Sequence, residues 1–202
     1  MEATEVFDAA QIEAELSAAR DAGRAMLHDA LAYLKDGRIH YDDLPYLGFI
    51  ERAQAFHIGV ISLVEQGNPL AAVTVLRAYA ENLAVVFWVN KKPQEFEKLR
   101  PGSTQGLPIG KVIAEAERHL PGFKALYDLW SDHAHPSGSG AFHTLKFASD
   151  GQFTWQSYPS FNSVEDARQV LEWLDSICIL TTRVIGQTLS STTTGSDPQS
   201  CR

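Results

Sequence analysis

The chain has 202 residues, of which 45% are hydrophobic and 21% charged, a composition typical of a folded globular protein. A formal charge of −8 disfavours non-specific binding to nucleic-acid backbones and to anionic membrane surfaces. The longest uninterrupted apolar run, Leu83 to Val89, is too short to span a bilayer. We therefore expect one domain over residues 1–189 without a membrane partner, and a disordered tail over the Ser/Thr-rich residues 190–202.

The N-terminus carries Glu2 and Glu5 where a secretory signal has basic residues, and no apolar segment follows them. The two cysteines, Cys178 and Cys201, are too few for a disulfide framework or for a zinc site built on cysteine. The segment from Gly106 to Lys111 lacks the spacing of a phosphate-binding loop, and the sequence indicates no cofactor. We expect a cytoplasmic protein with reduced thiols.

The first predicted element is an amphipathic helix from Asp8, a candidate cap, to Lys35, with Gly37 as its stop. Its apolar positions recur at steps of three and four residues: Ile12, Leu16, Ala19, Gly23, Met26 and Ala30. Because the opposite face is charged, this helix should lie on the outside of a bundle or pair with a second copy. We expect a homodimer formed through this seam or through the last long helix.

A second helix is predicted from about Asp43 to Gln66, with Gly67 as its stop. Asn68-Pro69 then has the pattern of a cap followed by proline at the first helical position. The helix that it opens, Leu70 to Asn90, is the most apolar in the chain, and apolar side chains cover nearly all of its circumference. Such a helix belongs at the centre of a bundle.

Pro93 should end the central helix, and a short helix through Phe96 and Leu99 is predicted after it. Two further helices follow, Pro108 to His119 and Pro121 to about Ala134, each opening on a proline. Pro136 and the Ser/Gly run after it end helical character there.

Residues 142–148 and 152–158 are rich in Phe, Thr, Trp and Tyr and flank Ser149-Asp150-Gly151, a pattern that predicts a β-hairpin. Ser163 should cap a last long helix that ends at Leu189. The sequence therefore predicts an all-α bundle of five to seven helices with a β-hairpin insertion near 142–158.

Arg77 and Glu81 are the only charged residues within the central helix, and their spacing of four places them on one face. Burying both charges is costly unless each has a partner, so we expect them to bond to each other or to a group close by. Two interpretations follow: a buried structural pair that fixes the register of the helix, or a functional site that uses the same pair.

A second group of polar residues lies where the helix ending near Ala134 gives way to a Gly/Ser-rich loop, and it includes Ser131, His133 and His135. One histidine could act as a general acid or base, oriented by Ser131 or a carboxylate. A metal site would need a third ligand, for which the candidates are Asp132, His143 and Glu81. No HExxH motif supports metal binding, and capping without chemistry is the remaining interpretation.

Basic residues are concentrated in one segment, because residues 91–111 hold five bases and two acids whereas residues 1–36 hold three bases and eight acids. An RNA or nucleotide ligand would approach the 91–111 segment. The alternative is an ordinary solvated loop.

Arg77-x-x-x-Glu81 on an apolar helix, followed some fifty residues later by Tyr127, Ser131, His133 and His135-Pro136, resembles an uncharacterised all-helical bacterial family. That family is distantly similar to the HEPN superfamily of toxin–antitoxin and abortive-infection systems. The resemblance covers roughly residues 45–160 and implies an all-helical fold and a role in phage defence.

The HEPN ribonuclease pattern has an arginine, four to six intervening residues and then a histidine. No arginine stands at those positions before His133 or His135, whereas Arg52 and His57 have the spacing.

Three functions remain as hypotheses. The first is a cytoplasmic effector, RNA-cleaving or defence-related, with a polar pocket whose candidate catalytic residues are Arg77, Glu81, Ser131, His133 and His135. The second is a non-enzymatic protein-interaction module in which Arg77 and Glu81 form a structural pair. The third is a metal-dependent hydrolase.

Overall fold

The computed structural model describes residues 7–32, 44–99, 103, 106–134, 145–147, 151–155 and 159–194. Over these residues the α-helices are α1 Glu13–Ala32, α2 Leu44–Glu65, α3 Pro69–Lys91, α4 Ile109–His119, α5 Phe123–Ala134 and α6 Val164–Thr194. Two 3-10 helices, Ala9–Ile12 and Pro93–Leu99, precede α1 and follow α3. The predicted all-α helical bundle is confirmed.

The junction between α2 and α3 is a tight turn in which two residues serve both helices. Gly67 has a φ of +69°, in the left-handed region, and the amide of Asn68 donates to the carbonyl of Leu63 at 2.8 Å. This is the hydrogen-bond pattern with which glycine commonly closes a helix. The Asn68 side chain then accepts a hydrogen bond from the amide of Ala71 at 3.1 Å and caps α3, whose first residue is Pro69. The end of α2 and the start of α3 are therefore separated only by this tight turn.

Helix α3 lies at the centre of the bundle, as its composition predicts. It packs against α2, α4, α5 and α6. Its buried apolar side chains face these neighbours in turn: Ala72, Val73, Leu76, Tyr79, Ala80, Leu83, Ala84, Val86, Trp88 and Val89. Each neighbouring helix thus covers a different part of the surface of α3.

Two helices, α2 and α3, are long and apolar enough to cross a membrane by length and composition alone. In this structure the bundle buries 39% of an apolar 18-residue stretch of α2 and 50% of the corresponding stretch of α3. Core helices of soluble proteins can have the same length and composition, so these two features do not distinguish a membrane span from a core helix.

The apolar seam of α1 packs inside the chain, against α2 and α6. The seam residues are all buried: Ile12, Leu16, Ala19, Gly23, Met26 and Ala30. The interpretation of α1 as the outer helix of a bundle is therefore correct, and the dimer seam proposed for α1 is wrong, since these side chains already have partners within the chain. A homodimer would need another surface.

Gly23 on α1 makes room for a buried histidine of α2. The imidazole of His57 is 1% exposed, and its Nε2 bonds to the carbonyl of Ala19 at 2.7 Å. A Cβ added at Gly23 would lie 2.6 Å from His57 Cδ2. Burial lowers the pKa of His57, so the neutral ring is favoured. Helices α1 and α2 approach closely at this point because Gly23 has no side chain to collide with the His57 ring.

The last helix begins at the predicted cap, where the amide of Asp166 donates to Ser163 Oγ at 3.1 Å. It continues to Thr194, past the predicted end at Leu189, so residues 190–194 are helical where the sequence predicts a tail. Serine and threonine only weakly disfavour a helix, and the first glycine or proline after Leu189 is Gly195. Residues 195–202 lie outside the described residues.

Two three-residue strands, Leu145–Phe147 and Phe153–Trp155, lie in the region of the predicted hairpin. They pair antiparallel, with Leu145 opposite Trp155. Residues 148–150, which connect them, are outside the described part of the chain. The core of the described residues is built almost entirely by the helices.

We predict that Gly23→Ala lowers the free energy of unfolding by about 1–3 kcal/mol, because the new methyl group collides with a buried, hydrogen-bonded ring that has no room to turn. The matched control is Gly48→Ala on α2, where nothing lies within 4 Å of the added Cβ. There the alanine should stabilise the helix by about 0.5–1 kcal/mol. Urea denaturation measures both, and a neutral Gly23→Ala would contradict the close packing.

Candidate functional site

A cluster of three polar side chains joins α3 to α5. The guanidinium of Arg77 donates from Nη2 to the Tyr127 hydroxyl at 3.0 Å and lies 3.1 Å from Glu81 Oε1. The hydroxyl of Tyr127 in turn donates to the same Glu81 oxygen at 2.7 Å. One tyrosine hydroxyl therefore accepts from the arginine and donates to the carboxylate, which closes a ring of three contacts. The predicted bonding of Arg77 to Glu81 is present.

The electrostatics of this Arg77–Tyr127–Glu81 cluster keep its arginine charged and its phenol neutral. The Arg77 guanidinium carbon also lies 5.2 Å from the centroid of the Tyr127 ring, in cation–π range. Partial burial opposes the charged form of Arg77, but Tyr127 and Glu81 outweigh it, so the pKa of Arg77 is raised. Burial raises the pKa of Tyr127 as well, and its hydroxyl remains a donor.

The cluster is only partly buried, contrary to the fully desolvated pair that the apolar helix suggests. The side chain of Arg77 is 24% exposed and that of Glu81 is 32% exposed. Water therefore screens the pair, and its contribution to stability is closer to that of a surface ion pair than to that of a buried one. The same exposure leaves the cluster within reach of a ligand.

Ser131 and His133 lie further along α5, and each bonds to a backbone carbonyl of that helix. The Ser131 hydroxyl donates to the carbonyl of Tyr127 at 2.7 Å, one turn back on the same strip of the helix. His133 bonds through Nδ1 to the carbonyl of Leu129 at 2.8 Å. Six residues after Tyr127, His133 points about 120° away around the helix. Of the five predicted site residues, the structure brings Arg77 and Glu81 into contact with each other, and His135 lies outside the described residues.

His135 and His143 lie outside the described residues. Within the described part of the chain, no group of three His, Cys, Asp or Glu side chains is placed to hold a metal ion. The metal-dependent hydrolase hypothesis therefore rests on side chains that the structure does not describe.

Arg52 and His57, which have the spacing of the HEPN ribonuclease pattern, do not form a catalytic pair. His57 points inward, toward α1, whereas Arg52 is exposed and lies 5.2 Å from the Phe56 ring centroid. The Nε of Arg52 donates to the side chain of Asn82 at 3.3 Å. The two side chains therefore lie on different faces of α2.

The sequence interpretation missed a second polar network, centred on Glu115 of α4. This carboxylate is 2% exposed, and it accepts two hydrogen bonds from Lys91 Nζ, at 2.8 and 2.9 Å. It also accepts from Arg118, and His119 Nε2 lies 3.3 Å away. The hydrogen bond from Lys91 and the neighbouring bases lower the pKa of Glu115.

A signal for this network is present in the sequence. Glu115 falls on the apolar face of α4, between the buried positions Val112, Ile113 and Ala116. A carboxylate on an apolar face needs a cationic partner from another element, and the basic 91–111 segment supplies one in Lys91. The pattern would have predicted the contact of α4 with the end of α3.

We predict that Arg77→Met and Tyr127→Phe each lower the free energy of unfolding by about 1 kcal/mol, because each removes two of the three contacts of a partly exposed cluster. The double variant should cost less than the sum of the two. Arg24→Met is the control, since Arg24 forms an ion pair with Asp21 at 77% exposure and should change stability by less than about 0.5 kcal/mol. Strictly additive effects would show that the three contacts are not coupled.

We predict that Glu115→Gln destabilises the protein at neutral pH and flattens its acid unfolding profile. Because the folded-state pKa of Glu115 is lowered, its stabilisation is complete above the ordinary value of 4.5 and is lost as the pH falls through the folded-state value. Wild type and variant should therefore converge in acid. Glu172→Gln, at an exposed position of α6, serves as the charge-matched control and should follow the wild-type profile. A constant difference at all pH values would exclude the ionised carboxylate as the cause.

Comparison of the chain with protein-family models, with curated proteins and with solved structures finds no match. No family is therefore assigned, and the candidate site is defined by its own geometry.

Proposed function

We propose that this protein is a HEPN-like helical effector that acts on RNA, with the Arg77–Tyr127–Glu81 cluster as its centre. One observation carries the proposal. The two short motifs on which the family resemblance depends are some fifty residues apart in sequence, and Tyr127 of the second motif meets Arg77 and Glu81 of the first through contacts of 2.7–3.1 Å.

The chemistry of the cluster fits a phosphodiester. Arginine is the side chain best suited to binding a phosphate, and Arg77 keeps its charge while 24% exposed. Cleavage of RNA needs a base that takes the proton of the 2′-hydroxyl as its oxygen attacks phosphorus, and an acid that protonates the departing 5′ oxygen. Glu81, which already accepts a hydrogen bond from the Tyr127 hydroxyl, is the proposed base. The candidate acids predicted from the sequence are His133, which bonds to the carbonyl of Leu129 in this structure, and His135, which lies outside the described residues.

The test is expression of the chain in a bacterial host, with the purified protein assayed on a single-stranded RNA. We expect wild type to slow growth and to cleave the RNA, and we expect Arg77→Met and Glu81→Gln to lower the cleavage rate at least tenfold while remaining folded. Lys124→Gln is the control, because Lys124 lies on α5 but pairs with the exposed Asp128. It should cleave like wild type. Cleavage that survives loss of both Arg77 and Glu81 would refute the assignment.

A non-enzymatic interaction module is the second candidate, and a specific observation favours it. Arg77, Tyr127 and Glu81 bond to one another and bridge α3 to α5, which is what a structural clamp does. If this is the role of the cluster, the same variants lose stability with the coupling described above, and neither wild type nor variant acts on RNA. Measuring stability and cleavage on the same preparations separates the two candidates.

A further inference from the structure

Two adjoining clefts, at the end of α3 where α4 packs against it, share one wall. The larger has a volume of about 680 Å³ and the smaller one of about 310 Å³. Lys91 and Glu115 line both, so the ion pair between them stands at the boundary. Together the clefts fall in the size range of small-molecule sites. None of the lining residues belongs to the Arg77–Tyr127–Glu81 cluster.

The smaller cleft is basic. Lys91, Lys92, Lys111 and Arg118 line it, against the single carboxylate of Glu115. In a chain with a net charge of −8, this is a local excess of three positive charges. Lys111 is exposed and makes no ion pair with any described residue, and Arg118 keeps 66% of its side chain exposed beside Glu115. Several cations converging on one small cleft are suited to a phosphate group, which offers several acceptor oxygens at once.

The larger cleft offers flat surfaces and hydrogen-bonding groups. The imidazole of His119 stacks on the ring of Phe87, with centroids 5.1 Å apart and an angle of 10° between the planes, and both line the cleft. The side-chain amide of Asn90 is held in place by Tyr46, which donates to it at 2.9 Å, and by Thr188, which accepts from it at 2.6 Å. A fixed amide beside an aromatic stack is suited to a planar ring that carries polar atoms.

We propose that the paired clefts bind a phosphate monoester that carries a planar, hydrogen-bonding ring. The phosphate occupies the basic cleft and contacts Lys111 and Arg118, and the ring lies in the larger cleft beside His119 and Asn90. Lys91 and Glu115 lie between the two parts of the ligand. The site goes beyond the proposed function, because it shares no residue with the Arg77–Tyr127–Glu81 cluster and does not require that this cluster acts on RNA.

Isothermal titration of the full chain with adenosine monophosphate, inorganic phosphate and adenosine tests the proposal. We expect the monophosphate to bind at least tenfold more tightly than either fragment, because only it fills both clefts. Lys111→Gln and His119→Ala should each weaken its binding at least fivefold. Arg24→Gln, which removes the same charge as Lys111→Gln from an exposed position on α1, should leave the affinity unchanged.

Three results would overturn the proposal. Equal affinity for the monophosphate and for inorganic phosphate would show that the ring does not bind in the larger cleft. If neither compound binds, the clefts are not a phosphate-binding site. A short single-stranded RNA without a terminal phosphate that binds more tightly than the monophosphate, and loses affinity in Lys111→Gln, would assign the basic cleft to a polymer backbone. Thermal unfolding of each variant, expected within a few degrees of wild type, confirms that these comparisons are made on folded protein.

Discussion

The burial of α3 is the constraint on which the rest of the structure depends. A helix that is apolar on nearly all sides has to be surrounded, and each polar side chain that it carries has to find a partner on a neighbour. The partners come from a different direction in each case. Tyr127 of α5 meets Arg77, the backbone of α2 at Phe49 accepts from Asn82, and Glu115 of α4 accepts from Lys91. The polar residues of the central helix therefore mark where its neighbours pack, and both candidate sites lie at such contacts.

Local patterns in the sequence predict the helices, because helix starts and stops are local. Asp8, Asn68 and Ser163 each accept a backbone hydrogen bond at the predicted cap. The end of α6 was misjudged because Ser and Thr repeats resemble a disordered tail, although nothing in them forces a helix to stop before Gly195. The partner of the α1 seam was also misjudged. A seam of apolar residues shows that something covers it, but not whether the cover belongs to the same chain.

The candidate sites were harder to predict, because they depend on which helices become neighbours. The spacing of Arg77 and Glu81 predicts their contact with each other, but the role of Tyr127 emerges only when α5 packs against α3. Helical spacing alone indicates that His133, six residues after Tyr127, faces a different side of α5. Glu115 was overlooked although its place on an apolar face is anomalous. A charge that breaks a hydrophobic pattern is thus more informative than a polar group in a loop.

The three-residue junction of Gln66, Gly67 and Asn68 bears on the order in which the chain folds. Helices α2 and α3 are adjacent in sequence and pack against each other, so the entropy lost in closing the connection between them is small. Contacts between neighbouring segments form faster than contacts between distant ones. We therefore expect the α2–α3 hairpin to form early, with α4 and α5 packing on it. The contact of α6 with α1 joins the two ends of the described chain, so we expect it to form late.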